Sequence, residues 1–125
     1  MNFEFDTNKP KWLEHLKVAT IGDSVLITKI VQSFIINTPK EINLMKTYLD
    51  HDEYYEIFRL THKIKPRFKL FQINRAFQIC EQIETFEHRS KRIDKRFLKN
   101  HIFQLENVVA VIVKELKSEI HKIDL

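Results

Sequence analysis

The chain has 125 residues, the length of one domain and enough to bury roughly 65–70% of the surface its unfolded form exposes. One glycine, three prolines and 43% hydrophobic residues, spread along the chain, exclude a turn-rich β architecture and disordered linkers and point to a helical domain. The net charge of +4 and pI near 9.2 favour an acidic partner, whether nucleic acid, an anionic membrane surface or an acidic protein face.

The single Cys80 rules out an internal disulfide, no apolar run approaches the ~18 residues of a membrane span, and MNFEFDTNKP lacks the apolar stretch of a signal peptide. A soluble, cytoplasmic protein is expected. One domain over 1–125 is also expected, with a core bundle over about 23–121.

The first element follows Lys9-Pro10. Trp12, Leu13 and Leu16 make a short amphipathic helix that ends near Thr20-Ile21-Gly22, where the only glycine supplies the stop. The second runs over 23–50 with a stripe of Ile27, Ile30, Val31, Phe34, Ile42, Met45 and Leu49. Thr38-Pro39-Lys40-Glu41 in its middle resembles a capping box with proline at the first helical position. However, Ile27, Val31, Phe34, Met45 and Leu49 keep one phase across the proline, which predicts a single helix kinked near Pro39.

Asp50-His51-Asp52 breaks the pattern. A third helix over about 52–71 turns Ile57, Leu60, Thr61, Ile64, Phe68 and Phe71 to one side, and a fourth over about 74–88 carries Ala76, Phe77, Ile79, Cys80, Ile83 and Phe86. After the basic break His88-Arg89-Ser90-Lys91-Arg92, a fifth over about 93–121 carries Leu98, Ile102, Leu105, Val109, Ile112, Leu116 and Ile123. Four long helices joined by short loops predict an all-α fold, an antiparallel up-and-down four-helix bundle with a short N-terminal helix.

Within the third helix His62 lies about 150° from the Ile57–Ile64 direction and faces solvent. No carboxylate, histidine or cysteine stands at i+3 or i+4 from it, so metal ligation is not expected. Phe58 and Pro66 lie one turn to either side, with Lys65, Lys69 and Tyr55 on the same face. Neutral imidazole is nucleophilic near pH 7, and the lysines can offset an incoming phosphoryl charge. An ordinary solvated basic face is the alternative from spacing alone. Glu84, at the edge of the fourth helix's apolar arc, needs a partner to be placed there, and a lysine such as Lys65 could serve. Cys80 on an apolar face reads as inert core.

The stretch from Ser33 to Glu84 resembles the histidine-containing phosphotransfer (HPt) domain family. Thr61-His62-Lys63-Ile64-Lys65 matches that family's His-x-x-Lys core after a small residue. Cys80-Glu81-Gln82-Ile83-Glu84 matches its later Cys-x-x-Leu-Glu signature, and the Phe-x-x-x-Thr-Pro rhythm of the second helix agrees. Pro66 and Gln72 stand where the family commonly has glycine. Proline at 66 removes an amide and should bend the helix just past His62, freeing that residue's carbonyl.

The resemblance implies a phosphoryl carrier that is not itself a kinase. His62 would take a phosphoryl group from an aspartate of one response-regulator receiver domain and pass it to another, downstream of a hybrid histidine kinase. Lys65 would act on the moving charge, and Glu84 would hold one ring nitrogen of His62. No cofactor is implied beyond Mg²⁺ on the partner receiver. A surface fitting over His62 would meet Tyr55, Phe58 and Pro66 as its apolar part and Lys63, Arg67 and Lys69 as its charged rim. Two other classes remain: a nucleic-acid-binding module using Arg89, Lys91, Arg92, Lys95, Arg96 and Lys99, which has no recognisable reading motif, and an adaptor bundle without phosphoryl chemistry. Membrane and nucleic-acid partners are not expected.

Overall fold

The computed structural model describes residues 11–89 and 94–120, without the side chains of 11 and 87–89. It contains five helices: α1 Lys11–Ala19, α2 Ser24–Asp50, α3 Tyr54–Leu70, α4 Asn74–Arg89 and α5 Lys95–Glu119. α2 packs on α3, α3 on α4, α4 on α5 and α5 back on α2, while α1 lies across α2 and α3. This is the up-and-down bundle with a short leading helix. The far end of the last stripe, Ile123, lies outside the described residues, as does most of the basic break between α4 and α5. No described helix is long and apolar enough to cross a membrane.

Each helix forms because a 3.6-residue apolar period gives it one face to bury. Proline inside α2 tests that rule. Pro39 has no amide to offer the Ile35 carbonyl, a defect that costs about 3 kcal/mol or more. Against it stand Ile27, Val31, Phe34, Ile42, Met45 and Leu49, all buried on one face, at roughly 1.5–3 kcal/mol each. Packing wins, and α2 runs unbroken through Pro39. α3 likewise continues through Pro66. Asp23 and Asp94 start their helices by accepting the amides of Leu26 at 3.0 Å and Phe97 at 3.2 Å, the ordinary N-cap arrangement.

The expected core residues on all four long helices are buried, with Leu13, Ile30, Phe77, Phe86 and Ile112 packed at its margin. Aromatic rings fasten α1 to one end of the bundle. Phe34 of α2 sits 4.7 Å from Phe71 and 6.0 Å from Phe68, and Trp12 of α1 lies 6.2 Å from Phe71. Leu16, fully buried, completes the seat.

The helix ends depart from what glycine usage suggests. α1, α2 and α3 all stop with a left-handed residue that is not glycine: Ile21 (φ 57), Asp52 (φ 55) and Gln72 (φ 55). At each, the next amide bonds five residues back: Gly22 to Lys17 at 2.8 Å, Glu53 to Tyr48 at 2.8 Å, and Ile73 to Phe68 at 2.8 Å. That is the Schellman pattern. The α1 stop therefore centres on Ile21, one residue before Gly22 (φ 75). Gln72 does turn the chain, despite a Cβ that makes this conformation cost about 1–2 kcal/mol.

Replacing Gln72 or Ile21 by glycine should therefore stabilise the fold, by about 0.5–1 kcal/mol once glycine's greater unfolded entropy is subtracted. Urea midpoints measure this, and a loss of stability in both variants would contradict the assignment of strain to these two turns.

Candidate functional site

α3 sits between α2 and α4 and sends its charged side chains to both. On the α4 flank, the Nδ1 of His62 lies 2.8 Å from Oε2 of Glu84, and Nζ of Lys65 lies 2.5 Å from Oε1 of the same carboxylate. Lys65 also stands 5.6 Å from the Phe77 ring centroid, within cation–π range. On the α2 flank, Arg67 donates from Nη1 to Oε1 of Glu41 at 2.5 Å and to Oγ1 of Thr38 at 2.9 Å, while Lys63 Nζ is 3.3 Å from Oε2 of Glu41. Two carboxylates thus receive four basic side chains from one helix.

Burial decides what these contacts are worth. Exposed ion pairs contribute little, but the Glu84 and Glu41 side chains are only 15% and 14% exposed. Burial pushes the Glu84 carboxyl up. Hydrogen bonds from Lys65 and His62, with the charges behind them, outweigh it and hold the group below the usual carboxylate range. At Glu41 burial is again opposed, by Arg67 and then Lys63, with the same outcome. The hydrogen bond to Glu84 raises Lys65, against a smaller desolvation cost. Both acids stay ionised at neutral pH, and so does Lys65.

An ionised carboxylate can only accept, so Nδ1 of His62 carries the hydrogen that faces Glu84. In the neutral ring the lone pair then belongs to Nε2. The His62 side chain is 80% exposed, so this nitrogen belongs to a ring open to solvent. Thr61, the preceding residue, is fully buried and donates to the Ile57 carbonyl at 2.8 Å. Chemically, the site presents one accessible imidazole of fixed tautomer and orientation, beside a charged lysine. Among the described residues no group of three or more His, Cys, Asp or Glu side chains gathers where a metal could be held.

Two of the expected contact residues are placed otherwise. Phe58 is buried in the core cluster rather than standing beside His62 on the surface. Its direction, about 100° from Ile57, matches that of Lys65 at about 80°, so it lies on the flank that α4 covers. Arg67 is turned toward α2 and held by Glu41 and Thr38, which removes it from a solvent-facing rim. Tyr55, Lys63, Pro66 and Lys69 are exposed as expected.

Thr38 and Glu41, the ends of the Thr-Pro-Lys-Glu stretch that resembles a capping box, also belong to the site. Their signal was the Thr-x-x-Glu spacing, which on a continuous helix puts both side chains on one face one turn apart. It reads as a helix start but serves as an acceptor pair for Arg67. The thiol of Cys80, one turn before Glu84, is pushed up to about 12, chiefly by burial with help from the Glu84 charge. Of the basic residues near the α4–α5 turn, Lys95 pairs with Asp52 at 2.9 Å, and Arg96 and Lys99 are exposed. The side chains of Arg89, Lys91 and Arg92 lie outside the described residues.

These features define a helical bundle that presents a histidine from the side of one helix. The model of the Hpt domain family matches residues 29–124, and the chain belongs to that family. Hpt domains are phosphocarriers of two-component phosphorelays and interact with receiver domains and histidine kinases. Comparison with curated proteins and with solved structures returns no match.

The carboxylates also set an acid limit. Their folded-state values are lowered, so the stability they contribute is complete above the ordinary carboxylate value of about 4.3 and is lost as pH falls through the lowered folded values. Arg67→Ala leaves Glu41 and the Thr38 hydroxyl short of a donor and should cost about 1–3 kcal/mol at pH 7. Denaturant midpoints against pH should show the gap between wild type and Glu41→Gln closing below about pH 4. A gap that does not change with pH would deny Glu41 this role.

Proposed function

We propose that His62 is the phosphoryl acceptor of a multistep phosphorelay, taking the group from the aspartate of one receiver domain and giving it to a second. The observation that carries this reading is the exposed imidazole whose Nδ1 rests on Glu84. Nε2 attacks phosphorus, the bond between phosphorus and the aspartate oxygen breaks, and the receiver's carboxylate leaves as an anion. The ring gains positive charge as the bond to Nε2 forms. Its remaining N–H points at Glu84, whose negative charge offsets that gain. The reverse step onto a second aspartate restores the neutral imidazole.

Lys65 serves the same transfer. An ammonium has three N–H donors, so the residue can keep Glu84 and still approach a phosphoryl oxygen as charge builds on it. The chain, with one glycine in total, has no Gly-rich nucleotide loop. This favours a carrier over a kinase and leaves Mg²⁺ and most transition-state stabilisation to the receiver. The docking face is Tyr55 and Pro66 with Lys63 and Lys69 around His62, and a hybrid histidine kinase is the upstream donor's class. Phe58 supports that face from beneath and Arg67 braces it from the side.

His62→Gln should abolish acid-labile, base-stable labelling by a phosphorylated receiver while leaving helix content and thermal melting nearly unchanged, because the ring is solvent-facing. His15, His51, His88, His101 and His121 are the controls, and a His62→Gln protein that still labels would end the assignment.

Lys65→Ala should slow transfer by roughly 5- to 150-fold, matching the 1–3 kcal/mol of a charge-assisted hydrogen bond, with receiver affinity changed far less. Rapid-quench transfer rates and equilibrium binding separate the two, and an effect confined to binding would refute the role.

A further inference from the structure

The back of α5 carries a row of residues at strict four-residue spacing: Lys99, Phe103, Asn107, Val111 and Glu115. All five are exposed, and the two apolar members are unusually so, Phe103 at 60% and Val111 at 68%. The buried side of α5 is Leu98, Ile102, Leu105, Val109 and Leu116, and at 100° per residue Asn107 points almost directly away from it. Phe103 and Val111 lie about 40° to either side of Asn107, and Lys99 and Glu115 about 80° to either side, so the row winds obliquely across the outer face of the helix.

Its order is symmetric about Asn107 in a particular way. Phe103 and Val111 stand equally far to either side, and beyond them stand a cation, Lys99, and an anion, Glu115. Related by a half-turn about an axis beside Asn107, with the two helices crossing at about 50° so that the oblique rows run along one another, two copies bring each apolar residue to the other and each charge to its opposite. No like charges meet in that register. Lys114 falls opposite Asn100, Arg96 opposite Ser118, Lys117 opposite Phe97 and Glu106 opposite Val108. Such self-complementarity is what a two-fold, isologous contact requires.

We infer that this ridge is a self-association surface: two copies of the chain pair antiparallel through α5, with Phe103 against the partner's Val111 and Lys99 facing the partner's Glu115. The apolar centre supplies the burial, and the flanking charges select the antiparallel register. A contact confined to one helix face is small, below about 1,200 Å², so the pair is weak and reversible. α5 touches α2 and α4 and does not pack on α3. Both copies of His62 therefore stay on the outside of the pair, whatever chemistry they perform.

Sedimentation equilibrium of the full chain between about 10 μM and about 1 mM, the range of weak pairs, tests this. The weight-average mass should climb from the 15.1 kDa of one chain toward twice that value, and Phe103→Ser should suppress the rise at least tenfold in concentration. Lys99→Glu alone and Glu115→Lys alone should each remain monomeric, because like charges then meet twice. Mixed together, these two variants restore both charge pairs and should associate as well as the wild type, which also shows that each is folded. A wild type that stays at the mass of one chain overturns the proposal. So does a mixture no more associated than its components, a single reversal that pairs normally, or growth beyond two copies.

Discussion

The geometry of this bundle turns on one carboxylate shared by two bases. Glu84 crosses from α4 to hold the His62 ring with one oxygen and the Lys65 ammonium with the other. A helix packed only by apolar contacts can rotate by several degrees about its axis with little loss of burial, because such contacts have no direction. Hydrogen bonds do have direction. Glu84 fixes the rotation of α3 from one side, and Glu41, through Arg67 and Lys63, fixes it from the other. A solvent-facing imidazole consequently has a defined direction without being buried.

The arrangement also explains why a basic helix tolerates so dense a run of charge. Lys63, Lys65 and Arg67 alternate along α3, and consecutive members are directed to opposite flanks. Each flank offers one partly buried acid. Placing a carboxylate away from water is costly unless it is paired, so each acid and its bases depend on one another. Lys69, without such a tie among the described contacts, continues the row into solvent.

Helix number, order and the buried faces could be read from period alone, because each stripe held its phase over several turns, even across Pro39. The two misplacements have a common cause. A single stripe direction describes a helix with one neighbour, but α3 has α2 on one side and α4 on the other, which widens its covered arc to include Phe58 and draws Arg67 inward. Contacts between helices, such as Arg67 with Thr38 and Glu41, depend on which helices are adjacent and at what height. That information is absent from any one segment. The left-handed turn at Ile21 was hidden for a different reason: propensity assigns such positions to glycine, and at Ile21, as at Gln72, the backbone hydrogen bonds that close the helix override it.

Cys80 gives the bundle a further property. A thiol with no exposed surface and a value near 12 holds almost no thiolate at neutral pH, and thiolate is the form that oxidants and alkylating reagents attack. The Cys80 thiol is therefore shielded from oxidants and alkylating reagents while the bundle stays folded, although it lies a single turn from Glu84. Modification of that cysteine requires α4 to leave its neighbours, so the rate of thiol labelling measures how often the bundle opens.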